Sequence, residues 1–238
     1  MDDNLIVKCV GGLYTVVTHE GKRIECRAKG TLRRLDPPPA PGDRVTLENG
    51  VISTVLPRKN VIIRPFIANI DKLFIVSAVA DPDPDCYFTD KLIAIAEFSG
   101  IEPILVFSKT DLGVAGISRN YDGLPHPKYF VSTKTGEGIE DLSREFAGGV
   151  SAFAGLSGVG KSSIVNALCK LSGVDAVSEV GALSEKISRG KNTTRHTELF
   201  PLCGGYIADT PGFGSIEPEY FGLFDRSLLI DCFSDFSD

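Results

Sequence analysis

Residues 155 to 162 read Gly-Leu-Ser-Gly-Val-Gly-Lys-Ser, a match to G-x-x-x-x-G-K-[ST], between the apolar run VSAFA and the helix-patterned KSSIVNALCKL. No other stretch limits the possible folds so tightly. A strand that turns through glycines into a helix aims backbone N–H groups and the positive helix end at one point, which is the geometry of a phosphate-binding loop. Gly155, Leu156, Ser157, Gly158, Val159 and Gly160 form the loop, followed by Lys161, Ser162 and Ser163. Lys161 is placed to reach the β- and γ-phosphates and the Ser162 hydroxyl to ligate Mg2+.

A phosphate loop of this kind needs a sheet behind it, and the flanking sequence supplies one. KLFIVSAVA, EPILVFSK, KYFVST, VSAFAG, TELFPL and YIADTPG read as strands. YFTDKLIAIAEFSG, GIEDLSREFA and KSSIVNALCKL carry helical spacing between them. Strands alternating with helices predict an α/β domain with a mostly parallel sheet and helices on both faces. The part before Arg64-Pro65 has a different texture. There Val, Ile, Thr and Tyr alternate with polar residues and are broken at short intervals by Gly, Pro and Asn-Gly, as in a small antiparallel barrel of the OB type. The expected division is a barrel over 1–63, a nucleotide-binding domain over 64–222 and a C-terminal segment over 223–238.

Two further strand ends lie upstream of the phosphate loop. Ser108-Lys109-Thr110-Asp111 follows EPILVF and is similar to the [NT]-K-x-D element that selects guanine. The Asp111 carboxylate can accept from guanine N1–H and the exocyclic amine, donors that adenine lacks, while the Lys109 stem packs on the base. A plain helix-capping turn is the alternative. Ser132-Thr133-Lys134 resembles the S-A-K loop that supports the same base. Downstream, Asp209-Thr210-Pro211-Gly212 follows YIA and resembles D-x-x-G, with Asp209 reaching Mg2+ through water and the Gly212 amide sensing the γ-phosphate. In SRGKNTTRHTEL, between the two, Thr193 or Thr194 is placed to complete the Mg2+ shell as a switch residue.

Charge separates the same two parts. The net charge of −6 is the sum of eleven Lys/Arg against seven Asp/Glu up to Pro65 and fourteen against twenty-four beyond it. A basic module preceding an acidic one suits contact with nucleic acid, or is simply a solvated face. Aromatic residues for stacking bases are nearly absent from the barrel, which disfavours a single-strand stacking platform. The six cysteines (Cys9, Cys26, Cys86, Cys169, Cys203, Cys232) form no CxxC pair or Cys/His cluster, and His19, His126 and His196 have no metal-ligand spacing. Neither an apolar run long enough to span a membrane nor a secretory signal is present, so a cytoplasmic location is expected.

Taken together, the order base motif, base support, phosphate loop, switch threonine, D-x-x-G resembles the circularly permuted GTPases. KGTLRR, PGDRV, LPRKNVIIRP, ANIDKLFIV, GLSGVGKSS, RGKNTTRHTEL and ADTPGFGS make the likeness specific to the RsgA/YjeQ type of ribosome small-subunit biogenesis GTPase, from about residue 5 to the end. The resemblance implies an N-terminal OB-fold, a permuted G domain and GTP hydrolysis stimulated by the small (30S) ribosomal subunit. It further implies rRNA contact, Mg2+ and a monomer. A C-terminal zinc domain is usual in the family. The ending CFSDFSD is similar to the text preceding its Cys/His cluster, so the Zn2+ ligands are expected to be absent from this chain and Cys232 not to be one. Where Ras-like enzymes carry a water-orienting Gln there is Phe213, and where relatives carry a His before the paired threonines there is Asn192. His196 is a substitute catalytic group or an ordinary loop histidine. The competing reading is a nucleotide-gated RNA- or ribosome-binding module with little hydrolysis.

Overall fold

A computed structural model of the chain describes residues 4–63, 65–113, 116–172 and 197–209, with the backbone alone at 117–119 and 209. The first five strands are β1 (Asn4–Val10), β2 (Leu13–Val17), β3 (Arg23–Ala28), β4 (Arg44–Glu48) and β5 (Val51–Val55). They pair in the order β1-β2-β3-β5-β4, and β4 returns to β1 to close the barrel. The hairpins turn at Gly11-Gly12 and Asn49-Gly50, all four at positive φ, as two-residue turns that match strand twist require. Ile6, Tyr14, Val16, Cys26, Val45 and Ile52 fill the interior. This is the five-stranded OB-like barrel that the alternating texture predicts.

Two two-residue strands, β6 (Val61–Ile62) and β7 (Ile67–Ala68), pair with each other and lead into the second part. There β8 (Lys72–Ala78) is followed by α1 (Cys86–Phe98), β9 (Glu102–Ser108), β10 (Lys128–Val131) and α2 (Ile139–Arg144). Then come β11 (Val150–Ala154), α3 (Lys161–Leu171), β12 (Glu198–Leu202) and β13 (Gly205–Asp209). The strand order is β10-β9-β8-β11-β13-β12, parallel throughout except for β12, which runs against β13.

Both faces of this sheet are covered, and β8 shows why its sequence is apolar without interruption. Leu73 and Ile75 face α1 through Leu92, Ile93 and Ile95, whereas Phe74 and Val76 face α2 and α3 through Leu142, Ile164 and Leu168. A strand with helices on both sides has no solvent face to mark with polar residues. α1 begins at Asp85, whose carboxylate accepts from the Phe88 N–H at 2.9 Å, and gives way after Ser99 to Gly100 at φ 65°.

Helix α2 is shorter than its sequence pattern predicts. It stops at Arg144, and the next amides tighten onto carbonyls three residues back. Phe146, fully buried and stacked on Phe74 with ring centroids 4.3 Å apart, lies in this tightened turn, and the chain beyond is held at the β12–β13 turn, where Gly148 at φ 80° donates its N–H to the Gly204 carbonyl at 3.0 Å.

The two parts share a strand. In β1, Ile6 belongs to the barrel interior while Leu5 and Val7 belong to the core under α1. β1 also pairs with β12 at Lys8↔Glu198, which makes the barrel and the parallel sheet one eleven-stranded surface. Among the described residues no helix is long and apolar enough to cross a membrane.

Candidate nucleotide-binding site

The chain leaves β8 outward through β9 to β10, then returns to place β11 on the other flank of β8. Loops leaving the carboxyl ends of β8 and β11 therefore diverge and open a crevice between them, the place where parallel α/β sheets bind ligands. The loop 155–160 follows β11 and ends on α3, whose N-cap Gly160 sits at φ 97°. At Gly155, φ is 145° and an added Cβ would lie 2.3 Å from the Val76 carbonyl oxygen, so only glycine lets the loop start this close to β8. Lys161 Nζ donates to the Gly155 and Leu156 carbonyls at 2.6 and 2.7 Å, which folds its side chain over the loop. Burial pushes its ammonium below the ordinary lysine value. Leu156, Ser157, Gly158 and Val159 form the bend, and Ser162 and Ser163 stand in the first turn of α3.

Ser108, at the end of β9, is buried, and its hydroxyl donates to the Val159 carbonyl at 2.6 Å. The candidate base loop is thereby tied to the phosphate loop. Lys109 adopts the left-handed conformation (φ 61°), and its ammonium donates to the Asp81 carbonyl in the loop after β8. Thr110 Oγ1 donates to Glu137 Oε2 at 3.4 Å. Asp111 Oδ1 accepts from the Ser132 hydroxyl at 2.8 Å, and Oδ2 lies 3.5 Å from Lys134 Nζ. The Ser132 hydroxyl bond and, after it, the backbone N–H of Asp111 itself and the Lys134 charge hold the Asp111 carboxyl below the usual carboxylate range. Ser132 is fully buried and also accepts from the Thr135 N–H at 3.2 Å, while Thr133 is exposed on the same loop.

Strands β9, β10 and β11 thus bring three of the motifs to one sheet edge. β13, beside β11, ends there too, at Asp209. Thr193, Thr194, His196, Gly212, Asn192, Phe213 and Cys232 lie outside the described residues. So does the C-terminal segment 223–238. Among the described residues no cluster of three or more His, Cys, Asp or Glu is positioned to hold a metal ion. Sequence reasoning missed Glu137, Asp81 and Pro82, which belong to no motif. The available signal was position: Asp81-Pro82 immediately follows a strand whose carboxyl end faces the crevice.

A glycine-lined loop between a parallel strand and a helix, tied through Ser108 to the loop that carries Asp111, defines a P-loop nucleotide-binding protein whose candidate base loop precedes its phosphate loop. Residues 55–219 match the RsgA GTPase family and residues 5–51 the RsgA N-terminal domain. The chain belongs to the RsgA GTPase family. It is 38% identical over 240 residues to the small ribosomal subunit biogenesis GTPase RsgA of Clostridium beijerinckii, covering 98% of this chain and 80% of that one. It is 40% identical over 222 residues to its namesake from Caldanaerobacter subterraneus subsp. tengcongensis, covering 89% and 74%. The crystal structure of YjeQ from Thermotoga maritima superposes with a TM-score of 0.75 at 33% identity, over 98% of this chain and 83% of that one. YloQ, described as a circularly permuted GTPase, superposes with a TM-score of 0.76 at 27% identity, over 99% and 79%.

Proposed function

We infer that the chain hydrolyses GTP to GDP and phosphate and acts in biogenesis of the small ribosomal subunit. The observation that carries the nucleotide part is the Asp111 carboxylate, held ionised by Ser132 and Lys134 on a loop that Ser108 ties to the phosphate loop. Membership of the RsgA GTPase family and the names of the relatives support the ribosomal part. In this reading Ser108, Lys109, Thr110 and Asp111 receive guanine, with Ser132, Thr133 and Lys134 behind them. Residues 155–160 present backbone N–H groups to the phosphates, and Lys161 turns from its loop carbonyls to the β- and γ-phosphates.

Mg2+ fits the oxygen donors available. Ser162 stands in the first turn of α3 and Asp209 at the end of the neighbouring strand, and Mg2+ bound to a nucleotide needs only one or two protein ligands. The ion, when bound, screens the charge on the β- and γ-phosphates. Thr193 or Thr194, Gly212 and His196 complete the proposed machinery. The basic barrel is assigned to rRNA contact, and the protein to the cytoplasm as a monomer.

Phe213 offers no group to align water, so slow intrinsic hydrolysis stimulated by the particle is the expected behaviour. The test is GTP turnover with and without small subunits. Stimulation on the order of tenfold or more is expected, and Lys161→Ala should abolish it. Unchanged turnover with intact GTP binding would leave the nucleotide-gated binding module instead. A specificity arm uses Asp111→Asn, which should lose about ten- to a hundredfold in GTP affinity and gain xanthosine nucleotides.

A further inference from the structure

We propose that Asp81, which lies outside every nucleotide-binding motif of the chain, is a positioning residue for guanine recognition. Its main-chain carbonyl holds the Lys109 ammonium so that the lysine stem stands as a shelf for the purine. This rests on the guanine reading above and adds to it a residue from a third loop.

Four observations converge on the Asp81-Pro82 step. The chain leaving β8 stays beside the end of β9, because the Val79 N–H donates to the Ser108 carbonyl at 3.0 Å. Asp81 then takes the left-handed conformation (φ 47°), which turns its carbonyl. Lys109, itself left-handed at φ 61°, donates its ammonium to that carbonyl. Pro82 sits 3.7 Å from the point a Cβ on Gly158 would occupy, so the same step borders the phosphate loop. A lysine stem has four rotatable bonds and is a poor shelf unless its far end is anchored, since a base docking on it must otherwise order it. A carbonyl is a suitable anchor because it takes one of the three ammonium hydrogens and leaves the positive charge un-neutralised. Asp and Asn tolerate the left-handed region, and Gly prefers it. A β-branched residue resists it, so the side chain at position 81 controls where the carbonyl points.

The experiment is a double-mutant cycle between Asp81→Val and Lys109→Met, which keeps the stem and removes the ammonium. Fluorescently labelled GDP reads the base, and inorganic pyrophosphate, as competitor, reads the phosphate loop. Asp81→Val should weaken labelled GDP about five- to tenfold and leave pyrophosphate within about twofold, the size expected for losing one hydrogen bond from a charged donor. Asp81→Gly should bind like the parent, and Asp81→Val should have no further effect in the Lys109→Met background. Equal losses in both backgrounds, a glycine variant as weak as the valine one, or no loss at all would overturn the proposal. Should the valine variant not fold, Asp81→Ala carries the same cycle with a smaller loss in the same direction. A parent protein that binds labelled GDP no better than labelled ADP would overturn the guanine reading itself, and this proposal with it.

Discussion

Asp111 shows how much of the candidate site turns on single atoms. Its carboxylate must be ionised to accept two guanine donors, and the Ser132 hydroxyl is the chief stabiliser of that ionised form. A group whose pKa is depressed in the folded protein stays charged as the pH falls, until the depressed value is reached. Guanine binding should therefore be present at neutral pH and be lost only on strong acidification. Ser132→Ala removes the donor, moves the pKa back up and should bring that loss to a higher pH. GDP affinity measured from pH 7 down to about 4, around the ordinary carboxylate range, checks it. Superimposable profiles for parent and variant would refute the role given to Ser132. The tetrapeptide Ser108-Lys109-Thr110-Asp111 was legible as a motif, but this partnership was not. Ser132 stands twenty-one residues away, on another strand end.

At the scale of elements, the site is a set of strand ends held at close quarters. β8 and β11 run parallel in register Phe74↔Phe153 and Ile75↔Ala154, and the chain must then bend away within one residue. Gly155 allows this at φ 145° with the Val76 carbonyl 2.3 Å from where a Cβ would be. Gly155→Ala should destabilise the protein by about 1–3 kcal/mol and weaken nucleotide binding, because the methyl group meets backbone that cannot give way. Gly158→Ala meets only Pro82, at ordinary contact distance, and should cost the strain of its left-handed φ of 84° and little else. Urea midpoints and GDP titrations of the two variants separate these cases; equal effects would count against the packing argument. Helix α2 teaches the converse lesson. Periodicity extended it through Ala147, but it stops at Arg144, because the chain that follows tightens and is held by the Gly148 N–H on the Gly204 carbonyl of the β12–β13 turn.

For the whole molecule, the junction between barrel and sheet is the feature that local sequence leaves undetermined. Asp43, fully buried on the approach to β4, accepts from the Ala40 N–H and from Arg58 Nε and Nη2, each at 2.7 Å, and Arg58 Nη2 also donates to the Pro38 carbonyl. Asn69 bridges the Lys59 N–H and the Gly42 carbonyl at 2.8 and 2.9 Å. Arg58→Leu leaves a buried carboxylate without its cation and should cost about 3–5 kcal/mol, seen as a lower urea midpoint. Pairing it with Asp43→Ala should cost less than adding the two single effects, because the stranded charge is gone. Additive losses would mean that the pair does not act as a unit. The exposed pairs of Arg144 with Glu140 and Asp141 carry no such expectation, since water screens them.

The amino-acid sequence by itself determined the class of both parts and marked the candidate nucleotide motifs. Glycine spacing, strand alternation and helical periodicity are local properties, set by backbone sterics within a few residues. It also made the reversed motif order visible, and the strand order explains why that order is harmless: the candidate base, base-support and phosphate loops leave the same sheet edge, whichever comes first in the chain. Only the tertiary structure decided which groups meet. The Ser108 bond to Val159, the Lys109 bond to Asp81, the Ser132 bond to Asp111 and the Asp43–Arg58 pair join segments fifteen to fifty-one residues apart. The sharing of β1 between two cores belongs with them. No periodicity records such meetings, because each depends on which strands become neighbours, and that is settled by packing two faces of one sheet at once.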